Sequence, residues 1–122
     1  MADIHVDPDA LSALREVMEE EFSTLVDTFL LDCEERLQQL TGADDATQIL
    51  ETAHSFKGSC SNMGAIRLAA LCHDLEQRAK THNLGGLEAL VADIAREFAL
   101  VRPLYEQERE RSVSTIATIR PY

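Results

Sequence analysis

The sequence predicts an all-α protein, an antiparallel up-down four-helix bundle with an additional short N-terminal helix. Apolar residues recur at intervals of three and four along several long runs, the period of a helix with one buried face. The composition agrees: Leu, Ala, Val and Ile supply most of the apolar residues, aromatic residues make up 5%, Trp is absent and there are only 3 Pro. The breaks between runs are short and marked by Gly, Asp and Asn, and short connections favour antiparallel neighbours. A chain of 122 residues is long enough for one core and too short for two.

The first helix is announced by "DPDALSALREVMEE". Asp7 can cap it, Pro8 suits its first position, and Leu11, Leu14, Val17 and Met18 are expected to share a face. In the second, "EFSTLVDTFLLDCEERLQQL", the residues Phe22, Leu25, Val26, Phe29, Leu30, Cys33, Leu37 and Leu40 form a sustained amphipathic stripe. "TGADD" interrupts the pattern, and Asp44 or Asp45 can cap a third helix that runs to about Met63, where Gly64 ends or bends it. A fourth carries Ile66, Leu68, Ala69, Leu71, Cys72, Leu75 and Ala79, and "THNLGG" stops it. The fifth starts near Leu87 and lines up Leu90, Val91, Ile94, Phe98, Val101 and Tyr105. Pro103 lies inside that pattern and is expected to kink the helix rather than end it, because "LYEQERER" beyond it keeps a helical composition. Residues 1–111 therefore read as one bundle domain. The β-branched "SVSTIATIRPY" of residues 112–122 reads as a C-terminal tail that frays.

With 22 acidic and 11 basic residues, the chain carries a formal net charge of −11. That charge disfavours nucleic acid and anionic membrane, both of which reward dense positive charge. The N-terminus "MADIHVDPDA" has no basic region followed by an apolar run, and no apolar stretch has the length of a membrane span. The cysteines Cys33, Cys60 and Cys72 are odd in number and lack the spacing of a disulfide framework, so a reducing cytoplasm is the expected setting.

"AHSFKGSCSNMGA", residues 53–65, is the stretch that bulk packing does not explain. A Gly inside a helix costs about 0.8–1.0 kcal/mol relative to Ala, so Gly58 needs a reason. On a helical wheel the apolar Ala53, Phe56, Cys60 and Met63 cluster about 130–140° away from His54, which therefore points outward. Around His54 fall Gly58 at about +40°, Ser61 at about −20°, Leu50 at about −40° and Lys57 at about −60°. This exposed stripe suits phosphoryl chemistry. A neutral imidazole is a nucleophile near pH 7. A phosphoryl group on its nitrogen would bring nearly two negative charges, and Lys57, three residues on, can reach it with charge-assisted hydrogen bonds. Gly58 leaves room for an incoming active site, Ser61 can donate a further hydrogen bond, and Leu50 offers apolar contact.

The residues His54, Lys57, Gly58, Ser59, Cys60, Met63 and Gly64 closely resemble the signature of histidine-containing phosphotransfer (HPt) domains: a His, a Lys three on, a Gly four on, small residues, then an apolar residue and Gly. The following "LAALCHDLEQRAK", with Leu75, Glu76 and Ala79, resembles the next helix of that family, and the likeness extends over the whole chain. The resemblance implies a carrier that moves a phosphoryl group between aspartates of receiver domains, with His54 as acceptor. It also implies that the receiver domains of hybrid sensor kinases and response regulators are the partners, and that they supply Mg²⁺ and most of the catalytic machinery. The chain itself would then bring no cofactor and no metal site. Without a Gly-rich ATP-binding loop it is not expected to phosphorylate itself, and a monomer suffices.

Two other classes compete. Glu51-Thr-Ala-His54 is half of a carboxylate-bridged di-iron pattern, but a second Glu-x-x-His is lacking, since Ala70 and Ala79 precede His73 and His82 at that spacing. A bundle that merely binds or sequesters a response regulator would use the same stripe without needing its nucleophile. His5, His73 and His82 read as ordinary surface histidines.

Overall fold

The computed structural model describes residues 4–119, with side chains through Val113. Its elements are α1 (Pro8–Met18), a single 3₁₀ turn (Glu19–Glu21), α2 (Phe22–Leu40), α3 (Ala46–Asn62), α4 (Ile66–Lys80) and α5 (Leu87–Ile119). Two helix starts follow from their capping aspartates. Asp7 Oδ1 accepts from the Asp9 N–H at 3.0 Å, with Pro8 at the first helical position, and Asp45 Oδ1 accepts from the Thr47 N–H at 3.0 Å. Among the described residues no helix is long and apolar enough to cross a membrane.

The four long helices close a ring in chain order: α2 packs on α3, α3 on α4, α4 on α5, and α5 back on α2. Each contributes one apolar stripe to the centre. Phe22, Val26 and Cys33 meet Ile49, Phe56 and Cys60, and these meet Leu68, Leu75, Ile94 and Val101, all fully buried. At about 1.5–3 kcal/mol for each large apolar side chain removed from water, this core is the main force holding the ring together. Cys33, Cys60 and Cys72 are buried, free thiols. Hydrogen bonding of Cys60 to Cys33 and Cys72, reinforced by burial, pushes the Cys60 thiol far above its usual value, so it stays protonated. Cys60 is a core residue, as its wheel position predicts.

Tyr105 anchors α5 to the turn that follows α3. Its hydroxyl donates to the Met63 carbonyl at 2.6 Å, and its ring meets Phe29 edge-on with centroids 5.0 Å apart. Burial raises the pKa of that hydroxyl, which keeps the donor intact. Gly64 lies in the same turn at φ +74°, and a Cβ built there would come within 2.9 Å of Ala10 Cβ. Its carbonyl accepts from the Asp7 N–H at 2.8 Å. Gly64 thus does more than end a helix: its bare Cα lets the start of α1 dock against the turn.

Two expectations change, and the one for Pro103 is met as far as the helix running on. Val17, assigned to the inner face of α1, is 79% exposed, because only Leu11, with Leu14 and Met18 half-buried, turns inward there. α5 continues through Pro103, which does not end the helix, as the helical composition beyond it implied. The cost of an interior proline, about 3 kcal/mol, is met because Val101 and Tyr105 on either side are fully buried. The carbonyl deprived of its partner belongs to Ala99, which is exposed and can bond water. The segment set apart as a tail from residue 112 continues α5 as helix to Ile119, since extending an existing helix needs no new nucleus. Residues 120–122 of that segment lie outside the described residues.

Candidate functional site

The site is built where α3 and α4 pack most closely. His54 stands in the middle of α3 with 70% of its side chain exposed, while Glu76, across on α4, is only 5% exposed. The two oxygens of Glu76 are divided between two partners. Oε2 lies 2.5 Å from Nδ1 of His54, and Oε1 accepts from Nζ of Lys57 at 2.5 Å. Lys57 is half-buried, its stem lying along the α3–α4 seam.

Electrostatics then fix the proton. The Lys57 hydrogen bond, opposed by burial and assisted by the bond from His54, holds the Glu76 carboxyl down at about 2, against an ordinary 4.5. At neutral pH Glu76 is therefore a carboxylate, and a carboxylate only accepts. In the neutral imidazole Nδ1 of His54 must then carry the shared hydrogen, which leaves the lone pair on Nε2, the ring nitrogen directed away from Glu76. A surface imidazole held in this orientation from beneath is, in its neutral form, placed to act as a nucleophile through Nε2.

The other residues singled out from sequence fall on or beside this centre. Gly58 is exposed, and a Cβ there would meet nothing within 4 Å, so nothing inside the protein requires a glycine at that position. Ser61 is exposed on the same face. Leu50 departs from expectation. It packs half-buried against the core instead of standing on the open face. Ser59 ties α3 to α2, its hydroxyl donating to Asp32 Oδ2 at 3.2 Å.

Two histidines set aside as ordinary surface residues belong to clusters. His73, on the exposed side of α4, brings Nδ1 within 3.7 Å of Glu76 Oε1, close enough to add to the field at that carboxylate but beyond hydrogen-bond range. His5 Nδ1 lies 2.7 Å from Glu97 Oε2. In both cases a buried glutamate makes the difference. The wheel holds the signal: Glu76 falls on the apolar stripe of Cys72, Leu75 and Ala79, and Glu97 on that of Ile94, Phe98 and Val101. A charge at a core position demands a partner.

The model of the Hpt domain family matches residues 24–109. No curated protein sequence matches the chain. Among solved structures, the fold is similar to the crystal structure of histidine-containing phosphotransfer protein B (HptB) from Pseudomonas aeruginosa PAO1. The two are 49% identical with a TM-score of 0.87, over 90% of this chain and 98% of that one.

Proposed function

The chain belongs to the Hpt domain family and is a histidine phosphotransfer protein of phosphorelay signalling, and we propose that His54 is the residue through which the phosphoryl group passes. The observation that carries this is the bond between Nδ1 of His54 and the ionised Glu76, which in the neutral imidazole leaves the lone pair on Nε2 of a side chain that is 70% exposed. Members of the family are phosphocarriers that interact with receiver domains. The donor here is the aspartyl phosphate of one receiver and the acceptor an aspartate of another.

In the forward step the Nε2 lone pair attacks phosphorus, the P–O bond to the aspartate breaks, and its carboxylate leaves with the electron pair. Nδ1 keeps its hydrogen on Glu76, so the positive charge that develops on the ring faces a negative oxygen 2.5 Å away. The reverse sequence with a second aspartate discharges the ring. Lys57 does two things in this scheme. It neutralises Glu76, which would otherwise repel the arriving phosphoryl group, and its ammonium has donors beyond the one given to Glu76 to offer the phosphoryl oxygens. Gly58 and Ser61 form the approach, with Leu50 at its apolar margin. Mg²⁺ would come with the receiver and there supply charge neutralisation on the transferring group, with no cofactor required of this chain. One copy suffices, since all three central side chains come from a single chain. A cytoplasmic setting suits both the receiver partners and three free thiols.

The test is transfer from a radiolabelled phosphorylated receiver domain. The wild-type chain should acquire acid-labile, base-stable label, His54→Gln none, and Lys57→Ala should acquire it more slowly. Label on His54→Gln equal to wild type overturns the assignment. Receiver binding with no label on the wild-type chain would instead support the sequestering alternative.

A further inference from the structure

A second imidazole is held in the same manner on another face of the bundle. Nδ1 of His5 lies 2.7 Å from Oε2 of Glu97, a glutamate on α5 that is 5% exposed. The other oxygen of Glu97 lies 3.4 Å from Nε of Arg67, at the start of α4. The parts repeat those at His54: an accessible imidazole, a buried carboxyl group on Nδ1, and a cation on the remaining oxygen. They come from three separate parts of the chain, so the likeness is tertiary and no local sequence pattern produces it.

The segment that carries His5 is fixed in place. Val6 packs half-buried against the core, and the Asp7 N–H donates to the Gly64 carbonyl at 2.8 Å. In the neutral tautomer whose Nδ1 hydrogen is shared with Glu97, the lone pair of the ring is left on Nε2, as in the matching tautomer of His54. The surroundings differ in one respect. His5 is 26% exposed against 70% for His54.

We propose that His5 is a second phosphoryl-accepting residue, charged by a small phosphodonor, a phosphoramidate or an acyl phosphate, and not by a docked receiver. The limited opening favours a small donor, because a folded active site cannot close around a ring that is three-quarters covered. In the step, Nε2 attacks phosphorus and the P–N or P–O bond of the donor breaks. Ammonia, taking up a solvent proton, or a carboxylate leaves, and Nδ1 keeps its hydrogen on Glu97. The guanidinium of Arg67, half-exposed beside Glu97, counters part of the added negative charge.

The experiment uses the full-length His54→Gln protein incubated with potassium phosphoramidate and followed by intact mass and peptide mapping under neutral conditions. The expected result is an acid-labile phosphoryl adduct that maps to His5 and disappears in His5→Gln/His54→Gln. Glu97→Gln in the His54→Gln background should slow its formation several-fold. No adduct on His54→Gln, or an adduct that survives in the double variant at the same level, overturns the proposal. An unchanged rate with Glu97→Gln overturns the role given to the buried carboxyl. Because His54 is absent and no receiver takes part, these outcomes are independent of whether His54 relays phosphate.

Discussion

Gly58 and Gly64 stand close together on one stretch of chain and answer to different constraints. Gly64 is enclosed: its φ of +74° and the 2.9 Å approach of Ala10 to a Cβ built there leave no room for any other residue. Gly58 is helical, exposed and surrounded by open space. One glycine is required by the fold and the other only by something that approaches from outside. The contrast extends to their neighbours. The turn at Gly64 is pinned by Tyr105 and Asp7, whereas the face at Gly58 presents an imidazole supported from below by Glu76. In a helix where glycine is unfavourable, the position with no internal reason for it is the one that marks the site.

That contrast can be broken at several points. The largest effect is expected at the support of the exposed face. Glu76→Gln removes the charge that orients Nδ1–H and pairs with Lys57, a loss of about 1.5–3 kcal/mol for a charged hydrogen bond. Transfer from a phosphorylated receiver should slow by roughly 10–100-fold, while circular dichroism still shows a folded bundle. Next is Gly64→Ala. Forcing a Cβ into the left-handed region costs about 1–2 kcal/mol before the overlap with Ala10 is counted, so Tm should fall by roughly 5–10 °C. Phosphate uptake per folded molecule should be unchanged. Gly58→Ala should do the opposite, acting on transfer and not at the expense of stability. It should gain up to about 0.8–1.0 kcal/mol of helix stability and lose transfer rate; faster or unchanged transfer would remove the reading of Gly58 as an approach. The smallest effect is in the acid range. The folded-state pKa of Glu76, about 2, lies below its ordinary 4.5, so its pairing stabilises the fold above pH 4.5 and is lost as pH falls toward 2. Urea midpoints across that interval should fall less steeply for Glu76→Gln than for wild type, and equal slopes would contradict the pairing.

Much of this was legible in the sequence, because the apolar period fixes which face of each helix turns inward. Val26, Phe56, Leu75 and Ile94 sit where the wheel puts them, and His54 points outward as the same geometry requires. What the wheel missed are properties of helix pairs. Glu76 and Glu97 are acidic residues on buried stripes, tolerable only because Lys57 with His54, and Arg67 with His5, arrive from other elements. Leu50 and Lys57 were placed on an open face because a single helix has no neighbour in such a drawing; in the bundle both are half-buried, Lys57 against Glu76 of α4. At Pro103 the local composition was the better guide: "LYEQERER" keeps the helix going, and Val101 and Tyr105, buried on either side, carry it through.

The central claim is that a buried carboxylate fixes the hydrogen on Nδ1 of His54 and leaves Nε2 to receive the phosphoryl group. Nitrogen-15 NMR of the imidazole, recorded on the receiver-phosphorylated protein with labelled histidine, tests it directly. The account predicts phosphorus coupled to Nε2 of His54 and a proton retained on Nδ1. Phosphate on Nδ1 of His54, or on another residue with His54 unmodified, would contradict it.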